Sequence, residues 1–496
     1  MNEKIQIIFG LLGGLAVFIY GMNMMSECLQ KAAGDKMKSI LALLTKNPLL
    51  GVLAGALTTA VLQSSSATTV MAIGFVSAGL MNLPQAISII FGANIGTTMT
   101  AQIIAFKISD YIYVIIFIGF LISFVTKSEK VKSIGQTIFA FGLLFLGIET
   151  MGDVMKPLAS SPVFTDLIGR VAHIPVLGVA VGTVMTLVVQ SSSATIAVLQ
   201  NFASQPGPDG VTSILGLAGA IPILLGDNIG TTITALLASI GQSKDAKRTA
   251  VAHCIFNISG CFLFIWFVKP FAALIQNISP KGPEIEAISR QIANAHTVFN
   301  ITMTLIWVCL IKLMVKIVMT LLPDGKKGVE DPGSPIYLDE NIISQPAAAL
   351  QLVAKEIFRM SDQVGDILKK TIELVKNEEV KSIDGLKENG EQVERLGKCI
   401  TEYLAALFSS GSLTEQQAAQ TASLMCVLSD VERMGTLSVE MAECMLERSD
   451  RKYKYTPEAM DELQKSLKVL NKMFCDSLKA LQGDDGIEPG KMMKRK

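Results

Sequence analysis

The sequence predicts an all-α fold: a polytopic membrane protein with two inverted repeats that contain broken or re-entrant helices, followed by a soluble helical bundle. Three observations lead to this prediction. Half of the 496 residues are hydrophobic, which is a high share for a soluble protein of this size. The apolar runs end near Leu322, and the chain beyond is charged and amphipathic. Two polar phrases each occur twice inside the apolar part.

The duplicated phrases indicate an internal repeat. Gln-Ser-Ser-Ser-Ala-Thr begins at Gln63 and again at Gln190, an offset of 127 residues. Gly-x-Asn-Ile-Gly-Thr-Thr begins at Gly92 and at Gly226, an offset of 134 residues. A Gly-x-x-x-Met phrase that begins at Gly21 recurs 126 residues later. Three landmarks in the same order, with nearly the same offset, favour duplication over chance.

The predicted domain boundaries follow the repeats and the change in composition. They are 1–155 for the first membrane repeat, 156–322 for the second repeat with its trailing spans, 323–340 for a linker, 341–482 for the helical bundle and 483–496 for a disordered basic tail. Lys326 and Lys327 follow the last predicted span, Val298–Leu322, and predict a cytoplasmic exit.

Amphipathic spacing predicts the bundle. Apolar side chains recur at helical intervals near its start and again in its second half, so one face of each helix is expected to pack into a core. The first set consists of Leu350, Val353, Ile357 and Met360.

Several function classes are disfavoured by composition. The eight cysteines have no CxxC spacing and no accompanying histidine cluster, which argues against zinc fingers and disulfide frameworks. No Ser/His/Asp order, P-loop or zinc spacing lies in a suitable context, so we expect neither an enzyme nor a cofactor. The net charge of zero averages two different regions, and we expect no nucleic-acid partner.

The serine runs Gln63–Ser66 and Gln190–Ser193 lie inside apolar segments. An unpaired hydroxyl or amide in hydrocarbon costs several kcal/mol, so these groups need polar partners. If the helix unwinds there, a bound ion can satisfy both the side chains and the freed backbone. Carbonyl and hydroxyl oxygens suit sodium, whereas amides and hydroxyls at a helix N-terminus suit an oxyanion. The alternative is a seam of small residues at which helices pack closely.

The second phrase adds more oxygen atoms. Thr97 and Thr100 lie on one helical face, as do Thr231 and Thr234. Asp227 breaks the symmetry, because the first repeat has alanine at the matching position. Its carboxylate is either a ligand for a cation or proton, or a cap at a helix end near water.

A shorter sequence pattern also occurs twice, late in the membrane region. His253 and Asn257 are four residues apart, as are His296 and Asn300. Each pair therefore lies on one helical face. The pairs are either hydrogen-bonding groups that pack two spans together or groups with a direct role in coupling.

The two duplicated phrases resemble those of the type II sodium/phosphate cotransporter family, over roughly Ile5 to Leu322. The resemblance implies a secondary active transporter with inverted repeats, sodium as the coupling ion and inorganic phosphate as the substrate. The candidate residues for phosphate are Gln63, Ser64, Ser65, Ser66, Ser191, Ser192, Ser193, Asn94 and Asn228. The candidate residues for sodium are Gln190, Ser191, Ser192, Thr231, Thr234, Thr97, Thr100, Gln63, Ser64 and Asp227.

The bundle resembles a PhoU-like domain, the helical regulator linked to bacterial phosphate uptake, through Glu391–Gly397 and Ser429–Gly435. That family usually continues with Asp where this chain has Thr436. The acidic phrases are either a metal-binding surface or a solvated acidic face. The fusion implies a multi-pass protein of a bacterial inner membrane with its C-terminal domain in the cytoplasm.

The expected partners are inorganic phosphate, sodium and the lipid bilayer. A membrane-bound phosphate sensor, a symporter of another small oxyanion and a proton-coupled mechanism remain as alternatives. The sequence leaves open the direction of net transport, the ratio of sodium to phosphate and the oligomeric state, for which a homodimer is one possibility.

Overall fold

The computed structural model describes residues 3–33, 47–77, 80–106, 108–126, 128–159, 174–207, 209–323, 331–343, 345–376, 382–411 and 413–481. The chain forms two compact units, Met1–Gly325 and Lys326–Lys496. The predicted basic tail at 483–496, part of the predicted linker, Lys326 and Lys327 lie outside the described residues.

The first unit is built from helices. They are α1 (Glu3–Ala33), α2 (Pro48–Leu62), α3 (Ser65–Ser77), α4 (Leu83–Ile104), α5 (Ile112–Val125), α6 (Glu129–Ala159), α7 (Pro175–Val189), α8 (Ser192–Ala203), α9 (Gly216–Gly230), α10 (Thr232–Ala238), α11 (Lys244–Phe264), α12 (Val268–Ile278), α13 (Glu284–Cys309) and α14 (Ile311–Leu321). The described residues contain one isolated bridge, between Pro206 and Ser213, and no strand. The all-α prediction is confirmed.

Within the described ranges, six helical segments are long and apolar enough to cross a membrane: Gln6–Leu29, Leu83–Ile104, Val131–Met155, Gly216–Ala238, Lys244–Ile278 and Glu284–Cys309. Helices α2, α3, α5 and α7 are also apolar but shorter. A full span needs about 20 residues, so the short helices have the length of half-spans.

The predicted span Val298–Leu322 is wrong in its bounds. Helix α13 begins at Glu284, and a new helix, α14, begins at Ile311 after a break at Leu310. The polar start of α13 is satisfied inside the protein. Asn294 donates to Ser279 (2.8 Å), and Arg290 donates to Gln102 Oε1 (2.7 Å). A prediction from hydropathy ends a span at such polar side chains, because it cannot detect the hydrogen-bond partners that other segments of the chain supply.

Glycines bring the helices of each half into close contact. A Cβ atom built on Gly92 of α4 would lie 2.0 Å from the carbonyl oxygen of Val52 in α2. A Cβ on Gly226 of α9 would lie 2.0 Å from that of Val179 in α7. Only glycine permits backbones to approach so closely. In each half, the helix that carries the Gly-x-Asn-Ile-Gly-Thr-Thr phrase therefore packs closely against the helix that precedes the serine run.

The second unit contains α15 (Pro346–Lys376), α16 (Asp384–Ser409), α17 (Glu415–Asp450) and α18 (Pro457–Leu481). Leu350, Val353, Ile357 and Met360 are at most 1% exposed, as their helical spacing predicts.

Residues 331–343 pack onto this bundle. The fully buried carboxylate of Glu356 accepts hydrogen bonds from the amides of Ile336 (3.0 Å) and Tyr337 (2.6 Å) and pairs with Arg359 (2.6 Å). The Tyr403 hydroxyl donates to the carbonyl of Asp339 (2.8 Å). Burial raises the pKa of Tyr403 above its usual range. The described end of the predicted linker is therefore part of the folded unit.

Candidate functional site

Both serine runs interrupt a helix, as the sequence predicts. Gln63 ends α2 with φ 50°, and Gln190 ends α7 with φ 54°. These are the left-handed values that cost a residue with a side chain about 1–2 kcal/mol. Among the described residues of the first unit, no other non-glycine residue has a positive φ. Such strain persists where the surroundings determine the conformation, and it is concentrated at functional sites.

Each break is followed at once by the start of another helix. Ser64 Oγ accepts from the amide of Ala67 (3.2 Å) before α3, and Ser191 Oγ accepts from the amide of Ala194 (3.3 Å) before α8. Serine is a preferred residue at this capping position. The first turn of a helix carries unpaired N–H groups and a partial positive charge, and it is therefore suited to bind an anion.

The two breaks open onto one cavity of about 260 Å³. This volume lies below the roughly 300–1,000 Å³ of sites for drug-sized ligands, so the cavity suits a small solute. It is lined by Ile19, Met22, Asn23, Ser26, Gln63, Ser64, Ser65, Ser66, Val189, Gln190, Ser191, Ser192 and Ser193. The cavity thus brings together two helix N-termini whose sequence separation is 127 residues.

Sequence reasoning missed the wall that α1 contributes. Ile19, Met22, Asn23 and Ser26 lie on one helical face, at intervals of three and four residues. Ser26 donates to the carbonyl of Leu62, just before the first break. The sequence did contain an indication of this wall, because Asn23 and Ser26 are polar residues on one face of an apolar helix.

Two threonines of the Asn-Ile-Gly-Thr-Thr phrases reach the serine runs. Thr100 Oγ1 donates to Gln63 Oε1 (2.9 Å) within the first half. Thr234 Oγ1 lies 3.2 Å from Ser66 Oγ, which belongs to the other half. Neither threonine lines the cavity itself. Both support the residues that do.

The remaining predicted polar residues bond to their own helices. Thr97 and Thr231 donate to the carbonyls four residues earlier (3.2 and 2.9 Å), and Asn94 and Asn228 do the same through Nδ2 (2.8 and 3.0 Å). None of the four lines the cavity. Their roles in binding remain predictions.

Asp227 is fully buried inside α9. Its Oδ1 accepts from Thr186 Oγ1 at 2.6 Å. The interpretation of Asp227 as a cap at a helix end near water is wrong, because the residue lies within a helix and is inaccessible to solvent. The matched position in the other half, Ala93, carries no polar side chain.

The histidine-asparagine pairs are buried as well. Asn257 donates to the carbonyl of His253 (3.1 Å), and Asn300 donates to that of His296 (2.9 Å). His296 Nε2 lies 3.3 Å from Asn228 Oδ1. The second pair therefore connects α13 to the phrase-bearing helix α9, which is the packing role that the sequence left as one of two alternatives.

In the second unit the two acidic phrases face one groove. Glu391, Glu394 and Glu432 line it together with Arg395 and Lys398. Among the described residues, no group of three or more His, Cys, Asp or Glu side chains is arranged to hold a metal ion.

Comparisons with known proteins agree with this architecture. A family model described as Na+/Pi-cotransporter matches twice, over residues 17–153 and 150–279. A PhoU domain model matches residues 357–445. No solved structure matches the chain significantly.

Curated relatives cover different shares of the chain. The "Uncharacterized protein YqeW" of Bacillus subtilis is 35% identical over 263 residues, which are 53% of this chain and 83% of the relative. The "Putative inorganic phosphate export protein YjbB" of Salmonella typhimurium is 23% identical over 443 residues, which are 88% of this chain and 78% of the relative. The human "Sodium-dependent phosphate transport protein 2B" is 33% identical over 142 residues, 27% of this chain and 19% of the relative.

The family model matches two successive parts of the chain, and a PhoU domain model matches a third. The described residues include six helical segments of membrane-spanning length. The chain is a membrane protein of the Na+/Pi-cotransporter family that carries a C-terminal PhoU domain.

Proposed function

We propose that this protein is a secondary active transporter that couples the movement of sodium to that of inorganic phosphate, with phosphate held between the two serine runs. The observation that carries the proposal is the cavity into which both helix breaks open. Two helix N-termini with capping serines offer N–H and O–H donors to one small anion. Inverted repeats, with the two breaks facing each other near the bilayer midplane, would produce this arrangement.

The proposed phosphate ligands are the side chains and first-turn amides of Ser64–Ser66 and Ser191–Ser193, with Gln63 beside them. Asn94 and Asn228 complete the proposed set, and each donates to a carbonyl of its own helix.

The proposed sodium sites use the oxygens of the same breaks. Gln190, Ser191 and Ser192 with Thr231 and Thr234 form one set. Gln63 and Ser64 with Thr97 and Thr100 form the matching set. Asp227 is a further candidate for the first set, and its backbone carbonyl accepts a hydrogen bond from Thr231 Oγ1 (2.9 Å).

Coupling to at least two cations is the physical expectation for uptake. A divalent phosphate that enters an inside-negative cell works against roughly 4.6 kcal/mol per 100 mV, and two sodium ions offset that amount. Each tenfold sodium gradient then contributes about 1.4 kcal/mol per ion. Relatives are named for phosphate export and for sodium-dependent phosphate transport, and the net direction in the cell follows from the gradients. We place the protein in a bacterial inner membrane with its PhoU domain in the cytoplasm.

The test is isotope flux in proteoliposomes. Phosphate uptake by the wild type should require sodium and should be lost when choline replaces it. Ser65→Ala and Ser192→Ala should each abolish uptake, whereas Ser123→Ala should not, because Ser123 bonds only to its own helix. Undiminished uptake in choline would reject sodium coupling. Normal uptake by both serine variants would place the site elsewhere.

The PhoU domain favours one second candidate, a membrane-bound phosphate sensor. A sensor would bind phosphate in the cavity without moving it. Sodium-dependent phosphate binding with no flux in either direction would support this alternative.

A further inference from the structure

Arg290 of α13 is a half-buried cation that forms no ion pair with a carboxylate of the described residues. Its guanidinium donates through Nη1 alone, to the backbone carbonyl of Gln102 (3.1 Å) and to Gln102 Oε1 (2.7 Å). Within the described part of the chain, the hydrogens on Nε and Nη2 donate to no protein group. Charged side chains of membrane segments normally have a partner, so these donors indicate one from outside the chain.

The guanidinium is held in one orientation. Gln102 takes both hydrogen bonds of Nη1, and Arg290 Cζ lies 4.6 Å from the centre of the Phe106 ring. Gln102 is itself fixed, because its Nε2 donates to Asn294 Oδ1 (3.1 Å) and to Thr297 Oγ1 (3.0 Å). These contacts leave the edge formed by Nε and Nη2 for a ligand. That edge matches two oxygens of a phosphate group in a bidentate contact.

The corresponding junction of the other half is apolar. The offset of the Gly-x-Asn-Ile-Gly-Thr-Thr phrases matches Gln102 with Leu236, and the offset of the serine runs matches Gln200 with Ile73. Ile73 is buried in an apolar cluster against which Leu236 packs. Gln200 instead donates to the carbonyls of the residues that precede Gln102 and Arg290 (3.1 and 2.9 Å). Helix packing alone therefore does not require polar groups at this junction.

The position of Arg290 separates it from the cavity. It lies six residues after Glu284, the first residue of α13, or about 9 Å along the helix. Gln200, which bonds beside it, lies seven residues after the cavity residue Ser193, or about 10 Å along α8. Arg290 is thus near one end of a candidate membrane span, where both dissolved anions and lipid headgroups are within reach.

We propose that Arg290 is a second oxyanion site, separate from the cavity, that binds a phosphate group supplied by inorganic phosphate or by a lipid headgroup. The hydrogens of Nε and Nη2 donate to two oxygens of that group. Gln102 and Phe106 position the guanidinium for this contact. The site is independent of the sodium coupling proposed above, because it would bind the anion even in a protein that moves none.

Modification by phenylglyoxal, which reacts with accessible guanidinium groups, tests the site in the full chain. Mass spectrometry of peptides measures the rate at each arginine. In detergent without phospholipid, inorganic phosphate at about ten times its half-protecting concentration should slow modification of Arg290 about tenfold, whereas chloride at the same ionic strength should not. The exposed Arg451 of the second unit should react equally fast in both.

Vesicles distinguish the two sources of the phosphate group. Without inorganic phosphate, slower modification of Arg290 in phosphatidylglycerol than in digalactosyldiacylglycerol, whose headgroup lacks phosphate, would assign the site to a lipid headgroup. Equal rates in the two lipids, with protection by phosphate in detergent, would assign it to the free anion. Either result supports the site. Protection by neither source would overturn the proposal.

Two variants keep Arg290 but remove its positioning. Gln102→Leu removes the Oε1 contact and should raise the half-protecting phosphate concentration about fivefold. Phe106→Leu removes the ring beside the guanidinium and should act in the same direction. For a headgroup, both variants should instead speed modification in phosphatidylglycerol. Ser123→Ala, which changes a side chain bonded to its own helix, should behave as the wild type. Wild-type protection in both Gln102→Leu and Phe106→Leu would refute the site.

Discussion

Thr234 Oγ1 lies 3.2 Å from Ser66 Oγ, although the two residues belong to different halves of the membrane unit. Thr100, the counterpart of Thr234, instead donates to Gln63 of its own half. Helix α4, which carries Thr100, and helix α10, which carries Thr234, therefore support the cavity differently. Thr234 therefore connects the second half of the membrane unit to the serine run of the first half.

Replacing Thr234 with valine should weaken sodium binding. Valine keeps the shape but removes the hydroxyl that contacts Ser66. A net loss of about 1 kcal/mol per hydrogen bond corresponds to about fivefold in apparent sodium affinity. Sodium titrations of phosphate uptake measure this change. Thr98→Val is the control, because Thr98 bonds to the carbonyl of Ile95 in its own helix. Equal effects of the two variants would argue against a role for the contact.

Gln63→Gly should separate the backbone of the first break from its side chain. Glycine adopts positive φ without strain, so the helix break should persist and thermal stability should stay near the wild-type value. The side chain that bonds Thr100 and the Ala60 carbonyl (2.6 Å) is lost, and phosphate uptake should fall by at least tenfold. Gln63→Val should also reduce stability, because a β-branched residue tolerates a positive φ less well than glutamine does. Tryptophan fluorescence during thermal unfolding in detergent reports on Trp266 and Trp307. Full uptake by Gln63→Gly would remove the side chain from the site.

Gly226→Ala should destabilise the membrane unit. Its new methyl group would lie 2.0 Å from the Val179 carbonyl, so α9 and α7 would have to separate. Overpacking of this kind costs typically about 1–3 kcal/mol, measured as a lower unfolding temperature in detergent. Gly13→Ala is the matched control, since a Cβ there meets nothing within 4 Å. An unchanged unfolding temperature for Gly226→Ala would contradict the close packing of α9 on α7.

Asn23→Ala should weaken phosphate binding several-fold, because Asn23 is a polar side chain on the α1 wall of the cavity. A single polar contact contributes about 0.5–1.5 kcal/mol. Binding of labelled phosphate to the full chain in detergent tests this expectation. Leu12→Ala, an exposed position on the same helix, should leave affinity unchanged. Wild-type affinity in Asn23→Ala would mean that α1 only encloses the cavity.

The sequence alone determined the features that depend on neighbours in the chain. Hydroxyl runs inside apolar segments predicted both helix breaks, because a helix in hydrocarbon tolerates such polar groups only where it opens onto partners. Helical spacing likewise predicted the buried face of Leu350, Val353 and Ile357. The duplicated phrases indicated two halves, since the same local sequence forms the same local structure twice.

Tertiary structure alone decided which distant groups meet. The wall from α1, the burial of Asp227 behind Thr186, and the contact of Thr234 with Ser66 all join residues far apart in the sequence. The start of α13 at Glu284 has the same origin, because its polar side chains find partners on other helices. Helical periodicity specifies which face of a helix is polar, but the packing of helices determines what that face contacts.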